Sequence, residues 1–200
     1  MSFARRGTTV SNHAFPFGER MALASLAWEQ QMKFLQGFVV ALIILAVGAV
    51  AVAYSGVYDV AAGAPEPAML QWFLTTTMHN SVKSHAPDVA APVEFTDQRV
   101  RDGLRIYRDA CVYCHGAPQQ DPGDIGKGLN PKAPYLPDTV AGWTDAQLFW
   151  IVKNGIKMTG MAPYGESLKD DEIWSVIAFV RKLPELTQAQ YKQMVQEVPE

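Results

Sequence analysis

The chain has 200 residues, of which 48% are hydrophobic and 18% are charged, and its formal net charge is −3. This length and composition allow one modest domain with a buried core and some attachments. The weak negative charge and the lack of a long basic run argue against a nucleic-acid partner. Two cysteines are too few for a disulfide scaffold.

The first organising feature is an uncharged apolar run at residues 34–58, FLQGFVVALIILAVGAVAVAYSGVY. As a helix, this run has a length of about 37 Å, which is enough to cross a bilayer. We therefore predict a transmembrane anchor at residues 34–58, preceded by an N-terminal tail at residues 1–33.

Basic residues are distributed unevenly around this run. Arg5, Arg6, Arg20 and Lys33 precede it, and no Lys or Arg follows until Lys83. The positive-inside rule then predicts a single-pass protein with a cytoplasmic N-terminus and the remainder outside the cytoplasm.

The same run also has features of a secretory signal peptide. Met32 and Lys33 could begin such a peptide, and the small residues Ala51 to Ala53 could end it at a cleavage site. Residues 1–31 would then not be translated. We favour a retained anchor because the apolar run is longer than the usual core of a signal peptide. Both interpretations carry the C-terminal part across the membrane.

Residues 59–95 are predicted to be a linker that contains one short helix. Segment 68–86, AMLQWFLTTTMHNSVKSHA, lies between two Pro/Ala-rich connectors and has a partly apolar face. His79 and His85 are expected on the polar face of this helix.

Both cysteines lie in a compact domain that we place at residues 96–184. Val100, Leu104 and Tyr107 recur at helical spacing before them, whereas a thioredoxin-type Cys-x-x-Cys pair follows a strand. A structural zinc site needs four ligands, and the sequence has no second Cys pair and no His-x₃₋₅-His.

The residue after the second cysteine favours a different cofactor. Cys111, Cys114 and His115 form the sequence CVYCH, and Cys-x-x-Cys-His is the attachment signature of c-type haem. Cys111 and Cys114 are therefore predicted to bind one haem covalently as thioethers. His115 is predicted to be the proximal iron ligand.

A haem iron in an electron carrier needs a sixth ligand, and a thioether there raises the reduction potential. Met158 and Met161 both lie in the Gly- and Pro-containing segment NGIKMTGMAPYG, residues 154–165. One of them is the expected distal ligand, and the other is expected to be ordinary packing.

The C-terminal half resembles class I c-type cytochromes. The resemblance rests on CVYCH, on Gly103 and Tyr107 before it, on the Pro-Tyr-Leu turn at residues 134–136, on the methionine segment, and on DDEIWSVIAFVRKLP near the end of the domain. With its apolar run, the whole chain is similar to membrane-anchored mono-haem cytochrome c subunits of bacterial respiratory chains.

This resemblance implies an all-α haem domain with long loops, followed by a helical tail at residues 185–200. It implies Met161 as the distal ligand, with Met158 as the alternative. It also implies that the Pro134 carbonyl accepts a hydrogen bond from the proximal His115 imidazole, which fixes the ring's orientation.

The resemblance further implies how the first and last helices of the domain meet. Gly103 would allow the two backbones to approach closely, and Tyr107 would pack on Trp174 or Phe179.

Three helix starts are predicted from local sequence. Thr144 with Gln147 and Thr187 with Gln190 match the Thr-x-x-Gln capping box. Ser167 is expected to cap the closing helix.

The predicted function is one-electron transfer by a membrane-anchored cytochrome facing the periplasm of a bacterium. Its expected partners are a dehydrogenase or quinol-oxidising complex and a terminal oxidase or soluble cytochrome, and it is not expected to be an enzyme by itself. One alternative is a haem subunit that docks a larger oxidoreductase through the helix at residues 69–85. Another is an open-site haem protein that binds peroxide or a diatomic gas.

Overall fold

The computed structural model describes residues 17–86 and 94–198, and of residues 17, 19–20 and 22–25 it describes the backbone alone. Arg5 and Arg6, on which the predicted orientation partly rests, lie outside the described residues. Most of the second Pro/Ala connector also lies outside them. Within the described residues the chain is mostly helical and contains no β-strand, which confirms the all-α prediction.

The chain divides into two compact units, Met1–Asp59 and Val60–Glu200. The first unit contains one long helix, α1, at Phe17–Ser55. This helix ends where Gly56 adopts a φ of +67°, a left-handed conformation that glycine takes without a steric penalty. Its segment Leu26–Ser55 is long and apolar enough to cross a membrane. A signal sequence near an N-terminus can have the same length and composition.

The second unit contains the remaining helices. They are α2 at Ala68–His85, α3 at Asp97–Ile106, α4 at Val112–His115, α5 at Asp124–Lys127, α6 at Leu136–Thr139, α7 at Asp145–Asn154, α8 at Asp170–Lys182 and α9 at Gln188–Glu197. A π-helical turn, Tyr107–Cys111, joins α3 to α4, and 3₁₀ turns follow α6 and α8. Long irregular segments therefore connect α4 to α7 and α7 to α8.

Helices α3 and α8 cross at the centre of the core. A Cβ atom on Gly103 would overlap the Ser175 carbonyl oxygen, so the two backbones touch at this point. Next to it, the Tyr107 and Phe179 rings pack with centroids 5.1 Å apart. The predicted close crossing is confirmed, and Phe179 rather than Trp174 is the aromatic partner of Tyr107. Trp174 instead stacks on Phe149 of α7, with centroids 4.5 Å apart.

Two of the three predicted helix starts are confirmed. Complete capping boxes begin α7 at Thr144 and α9 at Thr187. The prediction for Ser167 is wrong: α8 begins later, where the Glu172 carboxylate accepts a hydrogen bond of 2.8 Å from the Lys169 backbone N–H. An acidic residue at the third helical position therefore satisfies the helix start without a hydroxyl at the cap.

Helix α2 packs on α7 and has one fully buried residue, Val82. Ala86, directly after the helix, is also buried. His79 stacks on Trp143 with ring centroids 4.7 Å apart, and His85 lies 5.8 Å from the Trp150 ring. Both histidines are exposed at the edge of this contact. The predicted helix therefore exists, and its histidines lie against tryptophans of the compact domain.

Candidate haem-binding site

The two cysteines lie at a local irregularity of the helix that carries them. Cys111 ends the π-helical turn, and Cys114 follows in the short helix α4. At this turn the Val112 N–H donates to the Tyr107 carbonyl, five residues back, instead of the usual fourth residue. Such insertions widen a helix and are frequent at functional sites.

Tyr107 fixes the end of this irregular segment. Its hydroxyl donates a 2.7 Å hydrogen bond to the Gly116 carbonyl, the first residue after α4. The ring is fully buried, and this burial raises the pKa of Tyr107 far above its usual range. The hydroxyl therefore stays protonated and can act as a donor at any ordinary pH. Gly116 has a φ of +68°, which lets the chain turn away directly after His115.

His115 is held in one orientation by a distant part of the chain. Its Nδ1 lies 2.9 Å from the Pro134 carbonyl oxygen. A carbonyl can only accept, so Nδ1 carries the proton and Nε2 keeps its lone pair. Burial lowers the pKa of His115, although the hydrogen bond to Pro134 acts in the opposite direction. A neutral imidazole with a fixed tautomer is the form that ligates a metal.

Burial changes the acidity of one of the two thiols. Burial, and secondarily the neighbouring Cys114, raises the pKa of the Cys111 thiol to about 12. Reactive thiols of thioredoxin-type proteins have a lowered pKa, because the thiolate is the attacking species. The environment of Cys111 therefore does not favour its thiolate as an attacking species. Both cysteines are partly buried and free in the structure.

The segment after α4 folds back against the cysteine helix. A Cβ on Gly126 would lie 2.8 Å from the Cα of Cys114, so only glycine allows α5 to approach this closely. The Gly123 N–H donates to the Tyr113 carbonyl over 3.0 Å. The Tyr135 hydroxyl donates to the Ala117 carbonyl over 2.9 Å and anchors the turn that contains Pro134.

Hydrogen bonds within the methionine segment hold the backbone of Met161. The Met161 carbonyl accepts from the Ile156 N–H over 3.0 Å, and its own N–H donates to the Thr159 hydroxyl over 3.0 Å. Gly155, with a φ of +64°, packs directly against the Met161 backbone. Met161 is therefore held in a tight turn, with its side chain partly buried.

Met158 lies in a different environment within the same segment. Its side chain is 86% exposed, and its φ of +62° is unusual for a residue other than glycine. We expected the methionine that is not the ligand to pack in the core. Met158 does not pack there, because its side chain is exposed.

Tyr164 joins the methionine segment to the cysteine helix. Its hydroxyl donates a 3.2 Å hydrogen bond to the carbonyl of Ala110, the residue before Cys111. Burial, followed by the electrostatic influence of Cys111 and Cys114, raises the pKa of Tyr164. No local pattern predicts this contact, because it joins residues that lie far apart along the chain.

A second contact brings the two loops together. A Cβ on Gly160 would lie 2.5 Å from a Leu129 methyl group, so the methionine segment touches the loop between α5 and α6 at this point. The methionine segment thus contacts the loop that contains Pro134 at Leu129, and it is hydrogen-bonded to the cysteine helix through Tyr164. His115 joins that helix to Pro134. Among these, Tyr164 and Leu129 are the site residues that sequence analysis missed.

The chemistry of these donors fits a c-type haem. The partly buried thiols of Cys111 and Cys114 precede the neutral imidazole of His115, whose Nε2 keeps its lone pair. The Met161 thioether lies in a segment that is hydrogen-bonded to Ala110, next to Cys111. Within the described residues no cluster of three or more His, Cys, Asp or Glu side chains could hold a metal ion by itself. The site therefore lacks the ligand set of a zinc centre.

Comparison with known families agrees with this assignment. The family described as cytochrome c oxidase, cbb3-type, subunit III matches residues 98–180, which include the cysteine helix, the Pro134 turn and the methionine segment. Residues 98–180 form a c-type cytochrome domain. A cytochrome domain of this kind implies haem c as cofactor and electron transfer as its role.

A curated protein with a similar sequence is the quinohemoprotein alcohol dehydrogenase of Comamonas testosteroni. The two are 28% identical over 138 residues, which cover 66% of this chain and 18% of the dehydrogenase. The chain thus spans less than a fifth of its relative's length, so the cytochrome domain is similar to one part of a larger oxidoreductase.

Proposed function

We propose that this protein is a membrane-anchored mono-haem cytochrome that transfers single electrons between a respiratory dehydrogenase or quinol-oxidising complex and an oxidase or soluble cytochrome. Its haem domain faces the periplasm, and α1 is the anchor. The cytochrome domain at residues 98–180 and the apolar segment Leu26–Ser55 support this proposal. The donor and the acceptor are inferred from the resemblance to respiratory cytochrome subunits.

Each residue of the site has a separate task in this proposal. Cys111 and Cys114 bind the cofactor covalently as thioethers, and His115 binds the iron through Nε2. Pro134 orients His115 and increases its basicity through the 2.9 Å hydrogen bond to Nδ1, which is the strongest single support for the assignment. A bound haem supplies an iron that accepts and releases one electron without forming or breaking a covalent bond.

Met161 is the proposed distal ligand. Its backbone is held by Ile156 and Thr159, and Tyr164, three residues on, is hydrogen-bonded to the cysteine helix. The Tyr164 hydrogen bond holds the end of this segment against the turn that carries Cys111. A thioether in this position favours the reduced iron and excludes water and other ligands.

A haem subunit of a larger oxidoreductase is a second candidate. The similarity to part of a quinohemoprotein dehydrogenase favours it, because that chain is much longer than this one. The site chemistry is the same in both cases. The two differ in whether the protein purifies alone or with a larger subunit.

Two measurements test the proposal. Haem staining of a denaturing gel should detect a covalent cofactor in the wild type, and the Cys111→Ala and Cys114→Ala double variant should lose the stain. Carbon monoxide should leave the visible spectrum of the dithionite-reduced wild type unchanged, because both axial positions are filled. Full CO binding by the wild type would contradict the electron-carrier assignment and favour the gas-binding or peroxidatic alternative.

Two methionine variants identify the distal ligand. Met161→Ala should allow CO to bind to the reduced protein, whereas Met158→Ala, the matched control from the same segment, should not. The reverse result would assign the ligand to Met158.

A further inference from the structure

The N-terminal half of α2 presents large apolar side chains to solvent. Met69 is 81% exposed, Trp72 66% and Phe73 57%. They recur at i, i+3 and i+4, so they lie on one face of the helix. The fully buried Val82 projects from the opposite face and packs toward α7. The exposed face is therefore apolar in its first two turns, and no described element of the second unit covers it.

Helix α2 cannot rotate to bury this face. His79 stacks on Trp143 and His85 lies against Trp150, so two ring contacts fix the C-terminal half of the helix on the cytochrome domain. Val82 and Ala86 are completely buried in the same contact. Any occupant of the apolar face must therefore come from outside the described part of the domain.

The chain itself restricts what that occupant can be. Residues 56–67 connect the end of α1 to the start of α2, and an extended segment of this length spans at most about 40 Å. If α1 spans a membrane, the start of α2 stays within that distance of the bilayer surface. No Asp, Glu, Lys or Arg occurs from Pro67 to Val82, and Lys83 is the first.

The composition and size of the face favour lipid over a protein partner. Tryptophan is enriched at membrane–water interfaces, and Trp and Phe are typical of the apolar face of helices that lie in the interface. Three large side chains bury roughly 500 Å² at most, whereas a stable protein interface needs about 800 Å² from each partner.

We propose that Met69, Trp72 and Phe73 insert into the interface of the bilayer that α1 crosses, so that α2 attaches the cytochrome domain to the membrane surface. This inference rests on the membrane anchor of the proposed function. The contact limits the orientations that the domain can take relative to the membrane. It thereby limits which face of the domain meets membrane-bound redox partners.

The test is hydroxyl-radical footprinting of the haem-loaded full chain in nanodiscs that contain lipid and no other protein. Met69 and Trp72 should be labelled several-fold more slowly than Met158, the highly exposed methionine of the cytochrome domain. Replacing Trp72 and Phe73 together with serine should raise the labelling of Met69 to that of Met158. The control Thr76→Ser, on the same helix face, should leave it low.

The possible failures can be told apart. Phe34 and Phe38 of α1 report on the anchor in the same samples, because they lie within the apolar segment Leu26–Ser55. If they are protected while Met69 and Trp72 are labelled as fast as Met158, the interface contact is absent and the anchor remains. If Phe34 and Phe38 are also labelled, the anchor itself is wrong. Protection of Met69 in native membranes but not in nanodiscs would identify a protein partner and overturn the lipid assignment.

Discussion

The crossing of α3 and α8 and the methionine segment at residues 154–165 are stabilised in different ways. At the crossing, every residue of α8 from Ile173 to Val180 is buried, and the backbones touch at Gly103. The methionine segment has few buried side chains, and its conformation depends on individual hydrogen bonds. The Met161 backbone bonds to Ile156 and Thr159, and the Tyr164 hydroxyl donates to the Ala110 carbonyl.

This difference separates stability from ligand positioning. Burial of apolar surface is spread over many contacts and determines whether the domain folds. A few directional hydrogen bonds contribute about 1 kcal/mol each and determine where one side chain lies. Substitutions at the crossing should therefore unfold the domain. Substitutions around the methionine segment should loosen the site and leave the fold intact.

The largest effect is expected from Gly103→Ala. The added methyl group would overlap the Ser175 carbonyl, and neither backbone can move without displacing the core. We expect a loss of about 3 kcal/mol in the free energy of unfolding, measured by chemical denaturation of the haem-loaded protein. Gly142→Ala is the matched control, because a Cβ at Gly142 meets no atom within 4 Å. Equal stability of the two variants would show that the helices do not cross at Gly103.

Arg181→Met tests whether α8 also supports the segment that leads into α7. The Arg181 guanidinium donates to the Asp145 carboxylate over 2.6 Å, and to the Val140 and Trp143 carbonyls over 2.9 and 2.6 Å. Removal of the guanidinium leaves the Val140 and Trp143 carbonyls without this donor. We therefore expect the free energy of unfolding to fall by about 2 kcal/mol, measured by thermal or chemical unfolding.

The adjacent residue provides the control for this variant. Lys182 makes an exposed ion pair with Glu185, and such pairs contribute little to stability. Lys182→Met should therefore leave the free energy of unfolding nearly unchanged. A similar loss in both variants would mean that the three hydrogen bonds of Arg181 add nothing beyond its charge.

Tyr164→Phe should affect the site more than the fold. It removes one hydrogen bond, to the Ala110 carbonyl, at an expected cost of about 1 kcal/mol. Faster amide hydrogen exchange in the methionine segment, and tighter binding of exogenous imidazole to the oxidised protein, are the expected signatures. Tyr113→Phe serves as control, because Tyr113 is 56% exposed. Unchanged exchange and imidazole binding in Tyr164→Phe would mean that Tyr164 does not position Met161.

The smallest effect on stability is expected from Met158→Ala. The side chain is almost fully exposed, and alanine has the same steric difficulty at a positive φ, so the free energy of unfolding should change by less than about 0.5 kcal/mol. Thermal unfolding of the haem-loaded variant measures this. A clear loss of stability would show that Met158 packs against the cofactor or the domain.

Local sequence predicted some features of the fold well. The capping boxes at Thr144 and Thr187 depend on residues three apart, so the sequence contains both partners. The prediction for Ser167 failed because its hydroxyl donates to the Tyr164 carbonyl and α8 begins only at Asp170, with Lys169 at the cap position. The crossing at Gly103 was predicted through resemblance rather than from the residues themselves.

The sequence by itself determined the helical character of the chain, its apolar segment and the Cys-x-x-Cys-His motif, because each depends on neighbours within a few residues. Only the tertiary structure decided that Pro134 accepts from His115, that Tyr164 reaches Ala110, and that Met69, Trp72 and Phe73 stay exposed when α2 packs on α7. These contacts join segments 19 residues apart in the first case and 54 in the second. Such distant pairs are brought together by burial of the shared core, and the pattern of neighbouring residues does not encode them.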